Sequence, residues 1–201
     1  RSCKKQFTAT VGTIFEDSKI PLSKWFAAIY LMNASKKGVS AHQIHRELDI
    51  TYKSAWFLCH RIREVMGERG SSLLSGIIEA DETYVGGKAE GRRGRGALNK
   101  TPVLSLVERK GDVRSFPMSR VTGNLLKSVI TWHVDPKARL VTDDYQPYKG
   151  LGREFARHET VRHSDKEYVR GDVHTNTVEG FFSLLKRGIM GSFHHISKDY
   201  L

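Results

Sequence analysis

The chain has 201 residues, 39% of them hydrophobic, and its 33 lysines and arginines outnumber 22 acids to give a formal net charge of +11. That length allows one good core plus a smaller unit, and the surplus positive charge points to a polyanionic partner, because every phosphate met by Lys or Arg releases counterions. Two cysteines, Cys3 and Cys59, exclude a disulfide framework and fit a reducing, cytoplasmic setting, and no apolar run approaches the roughly 18 residues of a membrane span. No signal peptide is visible. A chain that opens at Arg1 and stops at Leu201 reads as a piece of a longer protein.

Residues 1–20 read as tail and turn. Pro21 then suits the first turn of a helix over 22–33, where Trp25, Phe26, Ile29 and Met32 recur at helical spacing. Gly38 breaks the chain, Ser40 is a candidate N-cap for a helix over 41–48, and a short turn leads to a longer helix over 52–66. In that helix Trp56, Cys59, Ile62 and Met66 lie along one stripe. Residues 1–70 are therefore expected to form a small all-helical unit.

The pattern then changes. A strand is expected over 77–85, followed by the glycine- and arginine-rich loop GGKAEGRRGRGALNK. Segments 103–109 and 113–118 flank Lys110-Gly111-Asp112 as a hairpin, 124–134 is helical, and 138–142 is a short strand. Segment 161–169 carries no clear period, and a helix over 175–187 is stopped by Gly188. Strand, hairpin, helix, strand, helix predicts an α/β domain with a mixed sheet flanked by helices over 71–201.

Helices 41–48 and 52–66 have helix-turn-helix proportions, which would put the second in a DNA major groove. Thr51, Tyr52, Lys53 and Ser54 would face bases or phosphates, with Arg61 and Arg63 further along. Any two packed helices joined by a short turn share this look. The glycine-rich loop carries Lys88, Arg92, Arg93, Arg95 and Lys100, which can follow a phosphate backbone or merely be solvated. It contains no GxxxxGK[ST] phosphate loop.

Carboxylates cluster at element ends. Strand alternation puts Glu79, Asp81 and Thr83 on one face and Ile78, Ala80, Glu82 and Tyr84 on the other. On this evidence Glu79 or Glu82 serves as well as Asp81. Asp143 and Asp144 follow a strand, and α/β sheets gather ligands at the carboxyl ends of strands. Glu179 lies on the last helix, with Phe182, Ser183 and Lys186 following on its face and Val178, Phe181 and Leu185 expected to be buried. Three carboxylates from different elements suit a pair of divalent cations acting on a phosphodiester. Glu179 has a structural rival role, since Asn176-x-x-Glu179 fits a variant capping box. His158, His163, His174 and the His194-His195 pair have no cysteine company, so no Zn²⁺ site is expected within the chain.

At this point the chain resembles a known family. Gly12-Thr-Ile-Phe, Ile20-Pro-Leu-Ser-Lys-Trp-Phe, Asp81-Glu-Thr-Tyr-Val-Gly-Gly-Lys, Thr142-Asp-Asp-Tyr-Gln-Pro-Tyr and His174-Thr-Asn-Thr-Val-Glu-Gly-Phe-Phe-Ser-Leu-Leu-Lys-Arg-Gly resemble ISXO-type DDE transposases of prokaryotic insertion sequences. The resemblance covers essentially the whole chain. It implies an RNase-H-like catalytic domain that cuts and rejoins DNA with two Mg²⁺ (or Mn²⁺) ions, working as a homodimer on paired DNA ends in the cytoplasm. By motif, Asp81 is the first carboxylate, Asp143 the second and Glu179 the third, and Asn176 is the alternative third residue that some relatives use. Lys186 and Arg187 then join Lys53, Arg61 and the loop cations as candidate DNA contacts. Cys3 resembles the last ligand of the family's N-terminal zinc ribbon, whose earlier ligands are missing. A nuclease of the same fold without strand transfer, and a non-catalytic DNA-binding regulator, are the competing functions.

Overall fold

The computed structural model describes residues 8–67, 72–87, 99–165, 167–197 and 201. The chain divides into two compact units, Arg1–Ser71 and Ser72–Leu201.

The first unit contains helices α1 (Leu22–Ala34), α2 (Ala41–Leu48) and α3 (Tyr52–Gly67). Ser40 caps α2 by accepting the Gln43 N–H, as its position suggests. Asp49 closes α2 in the left-handed region at φ 46°, a conformation that a short Asp side chain tolerates. The core is Trp25, Ala28, Val39, Ile44, Ala55, Leu58, Cys59 and Ile62. Two expected core residues differ: Trp56 and Met66 are 46% and 48% exposed. The buried stripe of α3 runs through Ala55, Leu58, Cys59 and Ile62, so Trp56, about 100° round the helix from Ala55, faces out. Phe26 on α1 is exposed for the same reason, one position beyond the buried Trp25.

The second unit is built on a five-stranded sheet of order β3-β2-β1-β4-β5. Its strands are β1 (Ile77–Gly86), β2 (Lys100–Glu108), β3 (Val113–Pro117), β4 (Arg139–Asp143) and β5 (Arg157–Val161). Strands β1, β2 and β3 pair antiparallel, whereas β4 and β5 continue from β1 in parallel. With helices α4 (Gly123–His133) and α5 (Asn176–Gly188), this is the RNase-H-like mixed sheet. The β2–β3 hairpin turns where Lys110 adopts φ 64°. Strand β1 ends at Gly86, where a Cβ would stand 2.5 Å from the Asn99 carbonyl oxygen, so only glycine fits this close approach. Residues 88–98 of the basic loop lie outside the described residues, as do residues 1–7 with Cys3.

The sheet has two faces with different cargo. Ile78, Ala80, Leu104, Leu106 and Leu140 pack with Leu126 and Ile130 of α4 and with Tyr148. The opposite face carries α5, whose Val178 and Phe182 meet Val107, while Leu185 and Ile189 meet Val85 and Val103. Positions 178, 182, 185 and 189 follow the helical repeat. Phe182 rather than the expected Phe181 is therefore the fully packed aromatic, with Phe181 only partly buried. The α-helix ends at Gly188, as expected, but the helical backbone does not. The chain runs on into a π turn, Ile189–Phe193, because Ile189 is part of the packed face. Among the described residues no helix is long and apolar enough to cross a membrane.

Candidate active site

Parallel pairing of β1 with β4 brings the first two acids to adjacent positions. Ala80 is the register partner of Thr142, so Asp81 and Asp143 come next on neighbouring strands, about 4.8 Å apart in strand spacing. Both belong to the face covered by α5, since Ala80 and Leu140 point into the α4 side. Asp143 is buried and accepts the Tyr145 N–H at 3.1 Å. Asp81 is half-buried and accepts the Glu82 N–H at 2.8 Å.

The electrostatics of this corner are those of crowded negative charge. Burial, then the charges of Glu82 and Asp143 and more weakly Glu179, push the Asp81 carboxyl up to about 8, against a small opposing pull from the Glu82 N–H. The other acids near it have separate partners. Glu82 lies on the opposite face, where Tyr148 donates its hydroxyl to it at 2.8 Å inside the core. Burial and the neighbouring carboxylates hold that tyrosine well above its usual range. Asp144 turns outward to accept the Ser164 hydroxyl at 2.5 Å, which lowers its pKa. Glu79 is fully buried against the start of α5.

The third acid is held by its own helix. Thr175 is the N-cap residue, yet its side chain makes no cap bond. Its hydroxyl instead donates to Glu179 Oε1 at 2.9 Å. His163 Nε2 stands 3.7 Å from the same oxygen. The Asn176–Glu179 capping box does not form, because Asn176 is already the first helical residue and the free N–H groups of Thr177 and Val178 go to Glu79. Asn176 is exposed. Among the described residues, no three His, Cys, Asp or Glu side chains gather closely enough to hold a metal ion. The pair Asp81 and Asp143 is assembled, while half the Glu179 side chain is exposed and engaged with Thr175 and His163. The donor set nevertheless suits a hard divalent cation, being oxygen-only and short of compensating positive charge.

A cleft of about 360 Å³ opens beside Asp143, lined by Asp144, Tyr145, Tyr148, Lys149, Arg162 and Ser164 among others. Lys186 and Arg187 are exposed on the last turns of α5. In the first unit Lys53 is exposed on α3. Arg61 has a structural engagement, donating to the Glu16 carbonyl at 2.8 Å and lying over the Phe57 ring. Arg63 donates to the Val39 carbonyl. Lys88, Arg92, Arg93 and Arg95 lie outside the described residues. Sequence reasoning missed Thr175, His163, Arg109 and Tyr148. Only the Thr175–Glu179 i, i+4 spacing was available as a signal.

Comparison with known proteins adds the following. The model of the ISXO2-like transposase domain matches residues 73–201. An uncharacterized protein in the transposable element ISH50 of Halobacterium salinarum is 31% identical over 218 aligned positions, covering 100% of this chain and 73% of that protein. Among solved structures, a chain of the simian T-cell lymphotropic virus intasome in complex with PP2A regulatory subunit B56 gamma is 17% identical, with a TM-score of 0.34. A chain of a pre-cleavage Mos1 transpososome is 12% identical, with a TM-score of 0.26. The alignments cover 82% and 71% of this chain, which spans 58% and 59% of those two chains.

Proposed function

We infer, for a chain that belongs to the ISXO2-like transposase family, that it is a DDE-type DNA transposase whose carboxylates Asp81, Asp143 and Glu179 serve metal-assisted phosphoryl transfer. The observation that carries this reading is the pairing of Asp81 with Asp143 on adjacent parallel strands, in a corner where burial, and then the charges of Glu82 and Asp143, raise Asp81 to about 8. Asp81 and Asp143 would hold one Mg²⁺ or Mn²⁺ between them, and Glu179 would help hold a second. When bound, such a pair activates an attacking oxygen and stabilises the leaving oxygen of an in-line displacement.

The chain's own groups do the rest. Asp81 and Asp143 would supply the anionic oxygens that a hard cation needs. Thr175 and His163 hold Glu179 at the edge of the site. Lys186 and Arg187, with the cations of the glycine-rich loop, neutralise backbone phosphates. Lys53 and its neighbours at the start of α3 read or grip DNA in helix-turn-helix fashion. The DNA partner comprises insertion-sequence ends and a target, handled by a homodimer in the cytoplasm.

Strand joining separates this function from its rivals. Incubated with end DNA, target DNA and Mg²⁺, the protein should yield cleaved ends and joined products. Cleaved ends with no joined product would make it a nuclease. Unchanged function in Asp81→Asn would make it a DNA-binding regulator.

A further inference from the structure

Glu79 is a carboxylate with no exposed surface, placed on β1 two residues before Asp81 and on the same face. Its Oε2 accepts the backbone N–H groups of Thr177 at 2.8 Å and Val178 at 3.0 Å. Its Oε1 accepts the Thr177 hydroxyl at 2.8 Å and the Arg109 Nε at 2.6 Å. Arg109 is itself fixed, donating to the carbonyls of Asp172 at 2.8 Å and His174 at 3.0 Å. His174 Nδ1 completes the ring of contacts, 3.3 Å from Glu79 Oε1.

Two consequences follow from elementary helix chemistry. The first-turn N–H groups of α5 need acceptors, and the positive end of the helix favours an anion. Glu79 supplies both from a different element, so the start of α5 is pinned to β1 rather than capped locally. Thr175, relieved of capping, spends its hydroxyl on Glu179 instead. The strand that carries Asp81 therefore also sets the height and rotation of the helix that carries Glu179.

We propose that Glu79 is a positioning residue: it locks the α5 N-terminus to β1 and thereby fixes where Glu179 stands relative to Asp81 and Asp143. The proposal rests on the reading of those three acids as the metal-holding set. Glu79 itself touches no reacting atom, since both its oxygens are occupied by α5 and Arg109.

The test is Mn²⁺ affinity of the whole chain, measured by calorimetric titration without DNA, alongside its melting temperature. Glu79→Gln retains size but offers Arg109 an amide N–H₂, and Thr177→Val removes only the hydroxyl donor. Glu79→Gln should weaken binding of the more weakly held Mn²⁺ by about 10-fold or more, the range seen when supporting groups around metal ligands are lost. Thr177→Val, at an exposed position, should stay folded and weaken it in the same direction by a smaller factor. If Glu79→Gln does not fold, the Thr177→Val titration decides alone. Asp81→Asn serves as the control for the underlying reading. If Asp81→Asn binds Mn²⁺ like the unaltered chain, the three-acid reading is wrong, whatever Glu79 does. If Asp81→Asn loses binding while a folded Glu79→Gln, or failing that Thr177→Val, binds normally, Glu79 serves stability alone and the positioning role is overturned.

Discussion

The Thr175 hydroxyl donates to Glu179 Oε1 across 2.9 Å, one turn along the same helix, and Thr175 itself is 1% exposed. This contact decides what each residue at the start of α5 is for. Thr175 orients the candidate third acid, Glu79 satisfies the helix terminus, and Asn176 is left at the surface. Asn176→Ala should therefore leave Mg²⁺-dependent end cleavage near its original rate and change stability by a few tenths of a kcal/mol or about that. Glu179→Gln should abolish cleavage, because a neutral amide is a poor ligand for Mg²⁺. Thr175→Val should cost about 1 kcal/mol in denaturant titrations and slow cleavage by releasing Glu179.

Asp143 and Asp144 are adjacent in sequence but face different surroundings. Asp143 is buried beside Asp81, whereas Asp144 accepts from Ser164. Asp143→Asn should abolish cleavage and Asp144→Asn should retain most of it, measured on the same end substrate.

The raised pKa of Asp81 makes stability depend on pH in a definite direction. Without metal, the folded chain keeps a proton on Asp81 up to about 8, while the unfolded chain loses it near the ordinary value of 3.8. The folded state thus binds more protons across that window, and this contribution is present below 3.8 and lost as pH rises through about 8. In the presence of a chelator, Asp81→Asn should melt higher than the unaltered chain at pH 8, with the gap closing towards pH 4. Added Mn²⁺ should reverse the order at pH 8, because only the unaltered chain gains a ligand.

Tyr148 supplies the buried donor for Glu82. Tyr148→Phe keeps the ring in the core and withdraws the hydroxyl, at an expected cost of about 1–3 kcal/mol in chemical denaturation.

The cations divide into exposed ones, on which the proposed DNA contacts rest, and those committed to the fold. Lys186→Ala, Arg187→Ala and Lys53→Ala should each reduce the salt slope of DNA binding by about 1. Arg61→Ala should lower the melting temperature instead, since Arg61 ties α3 to the Glu16 carbonyl.

Much of this architecture was legible in the residues, and the exceptions have physical causes. Strand β1, the β2–β3 hairpin and α5 announce themselves by alternation, turn chemistry and helical spacing. Strand β5 does not: Arg-His-Glu-Thr-Val is mostly polar, because an edge strand buries little and this one spends Glu159 on ion pairs with Arg139 and Arg157. Glu79 and Asp81 look alike on a one-dimensional reading. Their difference depends on Thr177 and Val178, 98 and 99 residues away, arriving over one and not the other. The same distance effect hid Tyr148, which draws Glu82 out of the candidate site from the other face of the sheet.

The central claim is that Asp81 and Asp143 jointly hold a divalent cation. Anomalous diffraction from crystals soaked in Mn²⁺ measures it directly. A peak within coordination distance of both carboxylates, missing in Asp81→Asn crystals, is the predicted result. A peak elsewhere on the chain with nothing between Asp81 and Asp143, in crystals where both side chains are ordered, would contradict it.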